Sequence, residues 1–232
     1  MNDDFLLKAS IKKEDKDRTN FYKQESKRIT LKKDTNNIDK FLSIVESVEY
    51  QHKGIWYTEA FLFCSICDLL KVDEIIESGV AYVCSTDIFA SYFDFDIISV
   101  DIDQYGTFEN TKARLQHHKN LSMVKGNSLE IIPEILKDGD GVNVGVFIDG
   151  PKGTGAKNFR NNLSQFNNIL CFGYHDYSKQ NRIDIGEFDN SFITHEIDFI
   201  TEKYSYLNDK VIKTVPKQAK HKNGPGVCVE LV

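Results

Sequence analysis

Residues 73–93 have the sequence DEIIESGVAYVCSTDIFASYF. The isoleucine pair between the acidic residues predicts a short buried strand, and Gly79 predicts the turn that follows it. Glycine can adopt a positive φ, and because it lacks a Cβ it lets a ligand approach the backbone. Ser85 and Thr86 are good N-cap residue types, and Asp87 suits the positive end of a helix dipole. The segment is therefore predicted to fold as a strand, a turn and a helix.

A second strand is predicted directly after this helix, at residues 96–100. It ends at Asp101, whose carboxylate is placed to accept hydrogen bonds from the hydroxyls of a ribose. A strand, a turn, a helix and a second strand that ends in a carboxylate are together typical of a site for a nucleoside-bearing cofactor. In this layout the glycine turn approaches the cofactor closely and the carboxylate binds its sugar.

The length and composition indicate one globular domain. The chain has 232 residues, of which 41% are hydrophobic and 28% are charged, which is enough to bury a large core. We assign residues 37–232 to this domain. Residues 1–36 are polar and rich in lysine, and we assign them to an N-terminal arm. Two interpretations of the arm stay open: a solvated tail, or a segment that docks elsewhere or covers the site.

Charge and hydropathy exclude several classes of partner. The net charge is −6 without a dominant basic block, so a nucleic acid backbone is not expected as the main partner. No apolar run approaches the roughly 20 residues of a membrane span, and the N-terminus lacks the apolar region of a signal peptide. The five cysteines are an odd number and lie in apolar segments, which predicts reduced thiols in a cytoplasmic protein.

Further along the chain, apolar strands alternate with polar helical segments. Strands are predicted at residues 121–125, 144–148 and 168–172. This alternation implies right-handed βαβ units and an open, mostly parallel sheet. The C-terminal part differs, because residues 192–206 are predicted to be extended and residues 227–232 to form a strand. That ending suits an antiparallel hairpin added to the parallel sheet.

Polar residues follow most of the predicted strands. In an open parallel sheet, ligands bind at the carboxyl ends of the strands, so these residues are expected to converge at one edge. They are Glu77, Asp101, Asp103, Asn127, Ser128, Asp149, Lys152, His175 and Asp176. The convergence carries more weight than any single residue, because each one alone has a structural interpretation as a cap, a turn residue or a buried histidine.

Several motifs resemble those of class I S-adenosylmethionine-dependent methyltransferases, and within them the metal-assisted O-methyltransferases. Glu77-Ser78-Gly79 matches the family's Glu-x-Gly after the first strand, and Asp101 matches its ribose-binding acid. Gly126-Asn127-Ser128 is similar to the Gly-Asp-Ser that contacts adenine, with asparagine replacing aspartate. Val83-Cys84-Ser85 stands where many members have Gly-Gly-Ser, so two glycines are missing. The resemblance covers roughly residues 56–232.

The resemblance implies the α/β fold of that family: a Rossmann-like, doubly wound, mostly parallel seven-stranded sheet with a C-terminal antiparallel hairpin and helices on both faces. It also implies that the cofactor is S-adenosylmethionine. The residues that it places around this cofactor are Glu77, Ser78, Gly79, Ser85, Thr86, Asp101, Asn127 and Ser128.

The resemblance further implies where the reaction takes place. Asp149, after the fourth strand, stands where a divalent cation and the acceptor hydroxyl meet in the family. His175 and Asp176 lie where the family has its next carboxylates, so Mg²⁺ is predicted to bind Asp149 and Asp176. The predicted acceptor is a hydroxyl of a sugar or glycan. His175 is a candidate to take its proton, and Lys152 would either take it, given a depressed pKa, or steady the acceptor.

Rival interpretations rest on fewer features. Residues 150–157 are glycine-rich and follow a strand, but they lack the Gly-Lys-Ser/Thr ending of a phosphate-binding loop, which disfavours a nucleotide-binding phosphotransferase. A nicotinamide dehydrogenase is disfavoured because no Gly-x-Gly-x-x-Gly follows the first strand. A third alternative stays open, namely a non-catalytic, methyltransferase-like interaction protein. The altered glycine turn at residues 83–85 is its best support.

Overall fold

The computed structural model describes residues 5–6, 30–31, 35–80, 82–139, 141–186, 188–197, 204–217 and 224–232. Most of the predicted N-terminal arm lies outside these residues. Within it, Phe5–Leu6 (β1) and Thr30–Leu31 (β2) pair as a two-stranded antiparallel sheet. The boundary of the arm and its function stay predictions.

A seven-stranded sheet forms the centre of the fold. Its strands are β3 (Glu74–Ser78), β4 (Ile97–Asp101), β5 (Leu121–Lys125), β6 (Val144–Ile148), β7 (Ile169–Tyr174), β8 (Ser191–Ile193) and β9 (Cys228–Leu231). Their order across the sheet is β5, β4, β3, β6, β7, β9, β8. The first five strands in this order run parallel to one another, and β9 runs antiparallel to its two neighbours β7 and β8. The predicted doubly wound, mostly parallel sheet with an antiparallel C-terminal pair is confirmed.

Helices cover both faces of this sheet. They are α1 (Thr35–Ser47), α2 (Tyr57–Leu70), α3 (Cys84–Tyr92), α4 (Phe108–Leu115), α5 (Ser128–Asp138), α6 (Thr154–Leu163), α7 (Lys179–Ile185) and α8 (Asp209–Thr214). Successive side chains of a strand point to opposite faces. Ile75 accordingly belongs to the same apolar cluster as Phe63 of α2. Its neighbour Ile76 belongs to the cluster of Ile132 of α5 and Phe159 of α6. Burial on both faces explains why β6 and β7 are nearly continuous apolar runs.

The start of α3 differs from the prediction. The helix begins at Cys84, so Ser85 and Thr86 lie inside its first turn and do not cap it. The Thr86 hydroxyl instead donates a hydrogen bond to the buried Glu77 carboxylate at 2.6 Å. The cap prediction was wrong because N-cap preference reflects local backbone donors, whereas here a carboxylate on β3 binds the hydroxyl.

The C-terminal part also departs from the prediction. β8 ends at Ile193, and 3-10 turns follow at Thr194–Glu196 and Ser205–Asn208, so the prediction of an extended segment up to residue 206 was wrong. The Thr194 hydroxyl accepts a hydrogen bond from the Val227 N–H at 2.9 Å. The Thr194 side chain thus binds the backbone N–H of Val227, which a longer strand would use for its own pairing, and β8 ends before this point.

Two further predictions concern the cysteines and the membrane. The five cysteines are all buried and form no disulfide bond, in agreement with the prediction of reduced thiols. Among the described residues, no helix combines the length and the apolar character that a membrane crossing requires. The cytoplasmic location stays a prediction.

Candidate active site

The carboxyl ends of the central strands lie side by side at one edge of the sheet. β3 pairs with β4 on one side and with β6 on the other, which places Asp101 and Asp149 on either side of the end of β3. The Asp149 N–H donates to the Ser78 carbonyl at 2.8 Å, and the His175 N–H donates to the Ile148 carbonyl at 3.1 Å. The structure therefore brings the residues that follow β3, β4, β6 and β7 to the same edge.

Two of the described residues in the turn after β3 have a positive φ. Gly79 has a φ of 89°, and a Cβ there would lie 2.6 Å from the backbone N of Gly150, so the neighbouring loop requires glycine at this position. Val83 stands at one of the missing glycine positions, and its φ is 72°. It is buried in a small cluster with Val80 and Leu115, which offsets the strain of a β-branched residue in this region. The turn thus keeps the backbone conformation that glycine would adopt.

Asp101 connects the turns that follow β3 and β4. Its Oδ2 accepts a hydrogen bond from the Val80 N–H at 2.7 Å, and its Oδ1 accepts one from the Asp103 N–H at 2.6 Å. Asp103 in turn accepts from the Phe108 N–H at 3.0 Å and pairs with Lys125 at 2.6 Å. The hydrogen bond from Lys125 holds the pKa of Asp103 below its ordinary value. Of the two acids, Asp101 is the one in contact with the turn after β3.

Glu77 is a fully buried carboxyl group beneath this turn. Its Oε2 accepts hydrogen bonds from the Thr86 hydroxyl at 2.6 Å and the Ser99 hydroxyl at 2.8 Å. Its Oε1 has no hydrogen-bond partner among the described residues. Burial raises the pKa of Glu77 to about 7; the nearby hydroxyl groups oppose this shift, and the charge of Asp149 adds to it. A buried carboxyl oxygen without a partner is suited to receive a polar ligand atom.

Side-chain hydrogen bonds link the end of β3 to the start of α5 and involve Ser78, Asn127 and Ser128. The Ser78 hydroxyl donates to the Ser128 hydroxyl at 2.8 Å. The Asn127 side chain caps α5, because its Oδ1 accepts from the Leu129 N–H at 3.1 Å and its Nδ2 donates to Glu130 at 2.9 Å. Asn127 thus has a structural role, and its predicted contact with adenine stays a prediction.

Five charged side chains at the ends of β6 and β7, and on the first turn of α2, form what we call the charged cluster. Its members are Glu59, Asp149, Lys152, His175 and Asp176. Asp149 Oδ1 accepts hydrogen bonds from Lys152 Nζ at 2.5 Å and from His175 Nδ1 at 2.6 Å. Lys152 Nζ also lies 2.9 Å from Asp176 Oδ2. The residues predicted to bind a metal and to carry out catalysis are therefore in direct contact.

The ion pairs determine the protonation of the charged cluster. Burial alone would lower the pKa of His175, but the carboxylates of Asp149 and Glu59 raise it to about 10. Burial also opposes the charge of Lys152, yet Asp149 and Asp176 raise its pKa above the ordinary value. Burial would raise the pKa of Asp149, but the two cations hold it well below its ordinary range. At neutral pH, His175 and Lys152 therefore carry protons and Asp149 is ionised.

Glu59 is the member of the charged cluster that the sequence interpretation missed. It is fully buried in α2, and its Oε2 lies 3.3 Å from His175 Nε2. Its oxygens also accept hydrogen bonds from the Trp56 N–H at 3.2 Å and the Gly226 N–H at 2.6 Å. The available signal was an acidic residue directly before the apolar residues 60–64, because a buried carboxylate requires a partner.

A cavity of about 340 Å³ adjoins the turn after β3. It is lined by Gln51, His52, Lys53 and Tyr82. Tyr82 stacks on Tyr105 with ring centroids 5.7 Å apart, and Lys53 Nζ lies 5.9 Å from the Tyr105 ring centroid. The lining side chains carry hydrogen-bonding groups, but most of the surface that they present to the cavity is apolar.

Comparisons with known proteins identify the fold. No family model matches the chain, and no curated protein matches it in sequence. The chain is similar to the crystal structure of the O-methyltransferase TomG from Streptomyces achromogenes, which is involved in tomaymycin synthesis and was solved with S-adenosylmethionine. The identity is 13% and the TM-score 0.52, over 84% of this chain and 89% of that one. It is also similar to the O-methyltransferase from Bacillus cereus in complex with S-adenosylhomocysteine. There the identity is 9% and the TM-score 0.51, over 85% of this chain and 90% of that one.

At sequence identities this low, the structural similarity establishes a shared fold and nothing beyond it. The chain has the Rossmann-like fold of the S-adenosylmethionine-dependent O-methyltransferases, which confirms the predicted fold class. Because one fold supports many functions, the chemistry has to be argued from the residues at the edge of the sheet.

Proposed function

We propose that the chain is an S-adenosylmethionine-dependent O-methyltransferase whose acceptor is a hydroxyl of a sugar or glycan. The main support is the position of Asp101 and Asp149 on either side of the end of β3, in a sheet with the strand order of this fold. In such sheets ligands bind at this edge. Asp101 would hold the cofactor, and Asp149 would face the acceptor.

The residues around the turn after β3 fit this cofactor. Asp101 would bind the ribose hydroxyls, and Glu77 would offer its Oε1, which has no partner among the described residues, to a hydrogen-bond donor. Val83 keeps the turn in the conformation that a glycine would adopt, so the missing glycines leave the turn intact. When bound, S-adenosylmethionine supplies a methyl group activated by a positively charged sulfur.

Methyl transfer to a hydroxyl requires a group that accepts the proton of that hydroxyl. The acceptor oxygen forms a bond to the methyl carbon, the carbon–sulfur bond breaks, and its electron pair stays on sulfur. As the oxygen becomes positively charged, its proton has to leave, and a carboxylate is basic enough to take it. We assign this proton to the pair Asp149 and Asp176, from which it passes to solvent.

Lys152 and His175 are predicted from the sequence as groups that take the proton. Their raised pKa values mean that both already hold one at neutral pH. We therefore propose that His175 orients the Asp149 carboxylate and that Lys152 steadies the acceptor, which is the second of the two roles predicted for it.

The cavity beside Tyr82 adjoins the turn after β3, and we propose that it receives part of a hydroxyl-rich acceptor. Gln51, His52 and Lys53 offer hydrogen-bonding groups, and the stacked rings of Tyr82 and Tyr105 offer apolar faces, a combination that suits a sugar. Transfer of a labelled methyl group to a panel of mono- and oligosaccharides, with catechol as the aromatic comparison, tests the acceptor class. Labelling of catechol alone would contradict the sugar assignment and leave the methyltransferase assignment intact.

The substitution Asp101→Asn tests the cofactor site. We expect it to weaken S-adenosylmethionine binding about 10- to 100-fold, because the hydrogen bonds from the ribose hydroxyls lose their charged acceptor. Isothermal titration calorimetry measures this affinity. Asp103→Asn is the matched control, because Asp103 accepts from Phe108 and pairs with Lys125, and its affinity should stay within about threefold of the wild type.

The same titration separates the rival functions. A wild-type chain without measurable affinity for S-adenosylmethionine would contradict the proposal and favour the non-catalytic interaction protein. Tighter binding of ATP or NAD than of S-adenosylmethionine would favour a different nucleotide-dependent function.

A further inference from the structure

Lys152 occupies the position that the sequence predicts for a divalent cation. Its Nζ lies 2.5 Å from Asp149 Oδ1 and 2.9 Å from Asp176 Oδ2, and these are the two carboxylates that the resemblance assigns to Mg²⁺. An ammonium group between two carboxylates makes the bridge that a metal ion would otherwise make. The chain therefore supplies the bridging cation itself.

One of the three donors at this position does not suit Mg²⁺, and the other two already contact the Lys152 ammonium group. Asp149, His175 and Asp176 lie close enough to surround an ion, with ligand atoms within 4.8 Å of one another. Magnesium, however, prefers oxygen ligands in near-ideal octahedral geometry. His175 Nδ1 lies 2.6 Å from Asp149, and its Nε2 lies 3.3 Å from Glu59. Each ring nitrogen thus already faces a carboxylate of the protein, and binding a metal through either nitrogen would give up that contact.

The charges of the cluster lead to the same conclusion. Lys152 and His175 already face the carboxylates of Asp149, Asp176 and Glu59 at ion-pair distances. A dication would have to displace the Lys152 ammonium or lie beside it at a partly buried site. Either change costs free energy, because charges at a partly buried site are poorly compensated by water.

We infer that Lys152 replaces the divalent cation and that the charged cluster works without a metal ion. The inference rests on the proposed methyl transfer. The Lys152 ammonium holds Asp149 and Asp176 together and donates a hydrogen bond to the acceptor oxygen. The proton of the acceptor hydroxyl passes to one of these two carboxylates as the oxygen–methyl bond forms and the carbon–sulfur bond breaks, so no reactant besides the cofactor and the acceptor is needed.

The test removes the ammonium group and asks whether a metal ion then binds. Lys152→Met keeps most of the length of the side chain and loses the charge, and because this side chain is 37% exposed the variant should fold. The probe is Mn²⁺, with the bound fraction measured by electron paramagnetic resonance. Lys157→Met, the same change at an exposed position of α6, is the matched control.

A second group of possible metal ligands has to be disrupted by a substitution in every protein that is compared. Asp87, His117 and His118 also lie close together, and His118 Nε2 is 2.7 Å from Asp87 Oδ1. The titrations are therefore carried out in a His117→Gln background. Any difference between the proteins then arises from the charged cluster.

We expect Lys152→Met to bind Mn²⁺ at least about tenfold more tightly than the wild type, because the two carboxylates then lose the ammonium group that bridges them. Lys157→Met should bind Mn²⁺ as weakly as the wild type. We also expect EDTA to change the turnover of the wild type by less than about twofold, because no step depends on a Lewis acid.

Several results would overturn the inference. The inference is wrong if EDTA abolishes wild-type turnover and Mg²⁺ restores it. It is also wrong if the wild type binds Mn²⁺ tightly and the Asp149→Asn variant does not. Equal Mn²⁺ affinity of Lys152→Met and the wild type, with circular dichroism showing both folded, would also contradict it. A lack of affinity for S-adenosylmethionine would contradict the proposed function instead, and the Mn²⁺ comparison would still decide whether Lys152 occupies a cation site.

Discussion

Asp149→Asn is expected to lower the rate of methyl transfer about 100- to 10,000-fold while the affinity for S-adenosylmethionine stays within about threefold of the wild type. Asp149 contacts both cations of the charged cluster, Lys152 at 2.5 Å and His175 at 2.6 Å, and we assign it a share in taking the acceptor proton. Asparagine has nearly the same shape but no charge, so it neither accepts the proton nor holds two cations. The proposed cofactor contacts follow β3 and β4, so cofactor binding should persist.

Initial rates with labelled S-adenosylmethionine, combined with calorimetric titration of the cofactor, separate these two effects. Asp96→Asn is the matched control, because Asp96 is exposed and directly precedes β4, at the opposite edge of the sheet from Asp149. Its rate should stay within about twofold of the wild type. A wild-type rate in Asp149→Asn would contradict the role assigned to this carboxylate. A loss of cofactor binding as large as the loss of rate would contradict it too.

The central sheet could be predicted closely from the sequence because its strands are buried by helices on both faces. Residues 144–148 form an uninterrupted apolar run, and the observed strand β6 has those bounds. Short apolar runs between turn residues leave few alternatives to a strand. The edge at which the polar residues meet could be predicted as well, because parallel strands bring their carboxyl ends together.

The contacts of individual side chains could not be predicted in the same way. Thr86 has the properties of a helix cap, yet its hydroxyl binds Glu77 on a neighbouring strand. Glu59 was missed because its partner, His175, belongs to a distant part of the sequence. The resemblance implied a metal ion between two carboxylates, and only the side-chain positions reveal that Lys152 lies there.

Glu77→Gln is expected to remove a pH-dependent loss of stability of about 3 kcal/mol. Burial raises the pKa of Glu77 from 4.5 to about 7 in the folded protein, whereas in the unfolded chain the carboxyl keeps its ordinary pKa. Between these two values the unfolded state has released a proton that the folded state still holds. The free energy of unfolding of the wild type therefore falls as the pH rises from about 4.5 to about 7, and above that range the whole loss remains.

Urea unfolding at about pH 5 and about pH 8 measures this effect. The decrease in the free energy of unfolding between the two conditions should be about 2–3 kcal/mol larger in the wild type than in Glu77→Gln. Glutamine has the same length and its carbonyl can still accept from Thr86 and Ser99, so the fold should be kept. Glu134→Gln is the control, because Glu134 is exposed on α5 and pairs only with a neighbouring lysine among the described residues; it should follow the wild type. Equal decreases in the wild type and Glu77→Gln would mean that this carboxyl titrates alike in the folded and the unfolded protein, and would contradict the expected effect.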